Sequence, residues 1–115
     1  MLAAWKLVSA PKQEALFRLF FETYGLALQN RRKFKTFLEG VIESWLDYLG
    51  EAAMKNGYSR AEARALATVM IGGFRGFLLD LITTGDRKRI NRAVALWIDA
   101  LDGIPEPREV PKGSA

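Results

Sequence analysis

Apolar positions along this chain recur at helical spacing, and no run alternates apolar and polar residues between turn signals as a strand would. Prolines stand at 11, 105, 107 and 111, so the interval from Lys12 to Ile104 permits long helices. A short helix is predicted over Met1 to Val8. Ser9 then caps a second, from Lys12 to Gln29, with Pro11 in its first turn. A third is predicted from about Arg32 to Lys55, stopped by Asn56 and Gly57. Ser59 and Glu62 have capping-box spacing and open a fourth that reaches Thr84. Gly85 ends that helix, and Asp86 caps a fifth over Arg87 to Asp102, closed by Gly103 and Pro105. The expectation is an all-α antiparallel bundle of about five helices. It forms one domain over 1–104, with a disordered tail over 105–115 where apolar content is too low to pack.

The faces of these helices differ in kind. The third is amphipathic in the ordinary way: Phe34, Phe37, Leu38, Val41, Ile42, Trp45, Leu49 and Ala52 form one stripe, opposite Glu39, Glu43 and Asp47. The second carries apolar residues around most of its circumference, and so is expected to be covered from several directions. The fourth has two faces. Ala65, Val69, Gly72, Gly76, Leu79 and Thr83 make a slim one; Leu66, Met70, Phe74, Phe77 and Leu81 make a bulky one. Each interior glycine costs a helix about 1 kcal/mol relative to alanine, so glycines at 72, 73 and 76 imply a compensating close approach of another backbone. A single small domain has few helices to cover both faces. The slim face, with Arg75 beside it, is therefore expected to meet a second copy across a two-fold axis. The fifth helix, through Ile90, Val94, Trp97, Ile98 and Leu101, is expected to complete that homodimer interface.

Composition narrows the chemistry. The 115 residues contain no cysteine and no histidine, which removes disulfides, thiol nucleophiles and the commonest general base and metal ligand. No catalytic residue, cofactor or metal site is expected. The exposed carboxylates Glu14, Glu22, Glu39, Glu43 and Asp47 have nothing nearby to shift them toward catalytic use. Seventeen Lys and Arg against thirteen Asp and Glu give a net charge of +4, mild for a dedicated nucleic-acid binder. The basic runs Arg31 to Lys35 and Arg87 to Arg92 read as solvated helix starts. The N-terminal segment lacks a basic leader region and reads as part of the domain. Arg64, Arg75 and Asp80 interrupt the longest apolar segment, so no membrane span is expected and the location is taken as cytoplasmic.

Two stretches carry a resemblance. "RGFLLDLITTGDRKRINRAVALWIDAL", two helices hinged at Gly-Asp, is similar to the end of the C-terminal regulatory domain of TetR-type transcriptional repressors. "PKQEALFRLFFETYGLALQNRRKFKTFLEGVIESWLDYLGEAA" followed by "GYSRAEARALAT" resembles the earlier helices of that domain in order and register. The resemblance spans roughly Pro11 to Leu101. It implies a homodimer formed through the last two helices and a pocket for a small, usually apolar ligand among the earlier ones. It also implies DNA contact only through an N-terminal helix-turn-helix, which this sequence does not carry. On that packing Phe17, Phe20, Phe21, Tyr24, Phe37, Trp45, Met70, Phe74 and Phe77 project toward a shared interior and as a set line a pocket; the alternative for any one of them is ordinary core packing, as aromatic stripes at helical spacing usually are. Arg75 either anchors a ligand carboxylate or makes an ion pair or carbonyl contact at the dimer seam. Asp80 is expected to meet Arg87 or Arg89 beyond the turn. A helical homodimer acting as a scaffold is the alternative.

Overall fold

A computed structural model describes residues 1–102, of which 86 % are helical, with five α-helices and no strand among them. Helix α1 is Leu2–Val8, α2 Glu14–Gln29, α3 Lys35–Lys55, α4 Arg60–Thr84 and α5 Arg87–Asp102. The expected tail, and the glycine and proline taken to close the fifth helix, lie outside the described residues.

The helix ends follow local chemistry closely. Ser59 Oγ accepts the Glu62 N–H at 3.2 Å while Glu62 Oε2 accepts the Ser59 N–H at 3.3 Å, which is the reciprocal box expected. At the end of α3, Gly57 takes a left-handed φ of 97°. Its N–H donates to the Met54 carbonyl and that of Tyr58 to the Ala53 carbonyl, a Schellman closure. Gly85, at φ 67°, ends α4, and Asp86 Oδ1 caps α5 by accepting the Arg89 N–H at 3.2 Å.

Two starts differ from expectation. Ser9 is not an N-cap: it closes α1, and Pro11–Gln13 form a separate 3₁₀ turn with Ala10 before it. The rigid proline ring fits that tighter turn, and α2 begins only at Glu14. Helix α3 begins at Lys35, so Arg31, Arg32 and Lys33 lie in the preceding turn rather than inside the positive end of the helix.

Two small cores share α4 as their common wall. Toward its N-terminal half, Ala67 and Ile71 pack against Leu46, with Ile42 and Leu49 of α3 beside them. Toward its C-terminal half, Leu78 and Leu81 pack against Trp5 of α1 and Ile90 and Val94 of α5, and Phe17 and Phe21 of α2 close over this second group. Helix α2 is covered less than its composition implied: Ala27 is its buried residue, while Leu16, Leu19, Leu26 and Leu28 remain exposed. Helix α4 is also long and apolar enough, by length and composition, to cross a membrane, with a mean hydropathy of 1.6 over its best window. Arg64, Arg75 and Asp80 all lie within its length.

Candidate functional site

The three glycines of α4 have different surroundings, and this separates its two faces. A methyl group at Gly73 would stand 2.7 Å from Trp97 Cε2 and 2.8 Å from Cη2, and nearer still to Cζ2. Gly73 is thus the notch that admits the indole of α5. At Gly72 and Gly76 the same construction meets nothing within 4 Å. Those two, with Ala65, Val69, Leu79 and Thr83, form an exposed strip on the outside of the subunit, Val69 being 47 % and Leu79 49 % exposed. The slim face of α4 is uncovered here.

Ion pairs flank this strip. On the α3 side Arg64 Nη2 donates to both Glu43 carboxylate oxygens, at 2.8 and 3.0 Å. On the α5 side Arg89 makes a two-pronged contact with Asp80, at 2.6 and 3.1 Å, and reaches Asp86 at 3.3 Å. Of the two arginines considered for Asp80, the structure selects Arg89. Its hydrogen bonds hold the Asp80 carboxyl below the ordinary carboxylate range. The hydroxyls on and beside the strip are turned inward: Thr83 donates to the Leu79 carbonyl at 2.7 Å and Thr68 to that of Arg64 at 2.8 Å.

Helix α5 corrects the expected interface. Ile90 and Val94 are fully buried in the subunit's own core, so they are closed to a second chain. Trp97 occupies the Gly73 notch, edge-on to Phe74 at 5.4 Å and to Phe77 at 5.5 Å; Ile98 packs on the same core and Leu101 is half-buried. The stripe was correctly legible as one apolar face. What covers it is α1 and α4, because Trp5 fills the space beside Ile90 and Val94. The residue that α5 turns outward is Leu96, 73 % exposed, which the spacing of the stripe gave no reason to single out.

The nine residues expected to line one pocket divide into groups. Phe17, Phe21, Phe74 and Phe77 pack on the core around Trp5. Phe20, Tyr24 and Phe37 form a second cluster, with ring centroids 5.8 to 6.4 Å apart, and Phe20 joins it to the first through Phe21 at 5.4 Å. Met70 is half-buried. Trp45 departs altogether: it is 50 % exposed, with Tyr48 as its edge-on neighbour at 6.3 Å. These rings occupy the interior they were expected to enclose, since edge-to-face contact lets neighbouring aromatics fill volume against one another.

Arg75 belongs to the second cluster. Its Nη2 donates to the Val41 carbonyl at 2.7 Å, and its guanidinium lies 5.1 Å from the Phe20 centroid and 5.8 Å from that of Tyr24. Burial lowers its pKa, and Tyr24 acts in the opposite sense. It makes a carbonyl contact, as one alternative held, but within the subunit, joining α2, α3 and α4. Only a planar cation reaches the carbonyl and lies over two rings together. Arg75→Lys is therefore expected to lower stability by about 1–2 kcal/mol, read from urea unfolding. A lysine variant as stable as the parent would mean that Arg75 is merely solvated.

The carboxylates set aside above are exposed, and three are ion-paired: Glu14 with Arg18, Glu39 with Lys35 and Glu43 with Arg64. In the basic run 87–92, Arg89 is engaged by the turn, while Lys88 and Arg92 are exposed. Two clefts, of about 200 and 330 Å³, open where α1 turns into α2 and meets the start of α5. In comparisons with known proteins, no family model, no curated protein and no solved structure matches the chain.

Proposed function

We propose that this chain is an effector-binding and homodimerisation domain of the TetR regulator type, with the outer strip of α4 as its dimer seam. The observation that carries the seam is the difference among the three glycines. Gly73 is compensated inside the subunit by Trp97, whereas Gly72 and Gly76 meet nothing there. Each costs α4 about 1 kcal/mol in helix propensity. A second α4 approaching closely along the strip would supply the compensation that the subunit itself does not. Val69 and Leu79 would bury apolar surface in that contact, and the inward-turned threonines leave it without a stranded donor.

The regulatory part of the proposal rests on the resemblance, supported by the helix order and by the Gly85–Asp86 hinge between α4 and α5. DNA contact in this reading belongs to a helix-turn-helix that lies outside these residues. A second reading, a homodimeric scaffold without a ligand, is favoured by the aromatic side chains that fill the interior among α2, α3 and α4.

A paired measurement tests the seam. Light scattering over a dilution series is expected to give a dimer, and Gly72→Ala with Gly76→Ala to weaken its association by about tenfold or more, because methyl groups hold the two backbones apart. A monomer whose double variant is simply more stable, by about 1 kcal/mol per substitution, would place the strip in solvent and end the proposal.

A further inference from the structure

The two clefts beside Pro11 share Ser9, Ala10, Pro11 and Arg87, and so adjoin as a trough along these residues. The inner cleft, about 200 Å³, has an apolar floor of Val8, Phe17, Leu78, Leu81 and Ile82. The outer one, about 330 Å³, is bounded by Leu2, Trp5, Lys6 and Asn91. Among the described residues neither Arg87 nor Lys6 has an ion pair, although Arg64 and Arg89 each do. The one carboxylate among the lining residues, Glu14, lies 3.3 Å from Arg18. An apolar floor thus meets Arg87, with Lys6 in the adjoining cleft, and that combination selects a ligand with an apolar tail and an anionic head.

We infer that this trough binds a small amphipathic carboxylate, with its alkyl tail along the half-buried Val8, Phe17 and Ile82 and its head on Arg87. The inner cleft, at about 200 Å³, is of a size to take a short alkyl tail such as that of octanoate. Each buried methylene adds to affinity, and the guanidinium gives a carboxylate the two parallel hydrogen bonds that an alcohol cannot accept. The inference rests on and deepens the effector-binding reading by naming the ligand class and a site that shares only Phe17 with the expected aromatic one. It does not depend on the dimer seam.

Titration of the full chain with octanoate, followed by methyl NMR, is expected to give saturable shifts at Val8, Leu78, Leu81 and Ile82. Octanol is expected to bind about tenfold more weakly, and Arg87→Gln to weaken octanoate by about tenfold with an unchanged circular dichroism spectrum. Shifts that stay linear to millimolar octanoate, or equal affinity for octanoate and octanol on the native chain, overturn the inference. The octanol comparison decides the matter should Arg87→Gln fail to fold. Light scattering on the same samples keeps the two proposals apart: a monomer that binds octanoate refutes the seam alone, and a dimer that does not bind it refutes the trough alone.

Discussion

Trp5→Ala is expected to lower the stability of the chain by about 3–5 kcal/mol, seen as a shift of the urea midpoint by circular dichroism. Trp5 is 2 % exposed and among the largest fully buried side chains in the described residues. Its ring stacks on Phe74 at 6.3 Å and meets Phe77 edge-on at 6.1 Å, so truncation leaves a void against two aromatics that cannot collapse into it. Nε1 donates to Asn91 Oδ1 at 2.9 Å, a link across 86 positions of sequence. Helix α1 has only seven residues and no side-chain N-cap, too short to persist by itself. Trp5 therefore fixes the first element onto the last one, and its loss releases α1 as well as opening the core. A domain of this size has a total stability on the order of 5–15 kcal/mol, so the variant sits close to unfolding. A loss below about 1 kcal/mol would mean that α1 is held by something other than its tryptophan.

For Gly73→Ala the sign of the expected effect is the informative part. Helix propensity alone favours alanine by about 1 kcal/mol. The added methyl, however, falls on the face of the Trp97 indole, which Phe74 and Phe77 hold in place from either side. Moving a packed ring costs about 1–3 kcal/mol, so against the propensity gain the substitution is expected to be net destabilising by up to about 2 kcal/mol. Trp97→Leu in the same chain should recover part of that loss, because the leucine leaves room for the methyl. A double-mutant cycle in urea measures this coupling directly. Additive effects of the two changes would show that the indole does not rest in the notch.

The three glycines mark the limit of what a sequence can disclose. As a pattern they are alike, interior helical residues with a propensity cost that asks for a reason. Which of them is compensated within the subunit depends on where α5 runs, and α5 is placed by Trp5 and Asn91 from the other end of the chain. Nothing local to Gly72-Gly73 carries that information. The same holds for Ile90 and Val94: the stripe was legible, its covering was not. Trp45 shows the converse error. It shares the helical spacing of Val41 and Leu49, yet it stands half in solvent, because Leu46, Gly50 and Ala53 are the residues that α3 buries, with Val41. Periodicity locates a face to within about one residue around the helix, and for a large side chain that margin separates core from surface.

The trough at Arg87 was hidden for a related reason. Its lining comes from α1, the 3₁₀ turn, α2, the end of α4 and the start of α5. In sequence Arg87 is one of several cations in a basic run, and only the fold distinguishes it from Arg89, which the Asp80 and Asp86 carboxylates engage.

Sequence alone determined the all-helical class, the capping box at Ser59, the glycine closures at 57 and 85 and the Asp86 cap. These depend on hydrogen bonds and backbone dihedrals within a few residues, where neighbours in the chain are neighbours in space. Tertiary structure alone decided which face of α4 is covered, where the α5 stripe goes and how the aromatics divide. Those outcomes depend on apolar contacts that have no direction of their own, so a buried face accepts whichever partner the rest of the chain brings to it.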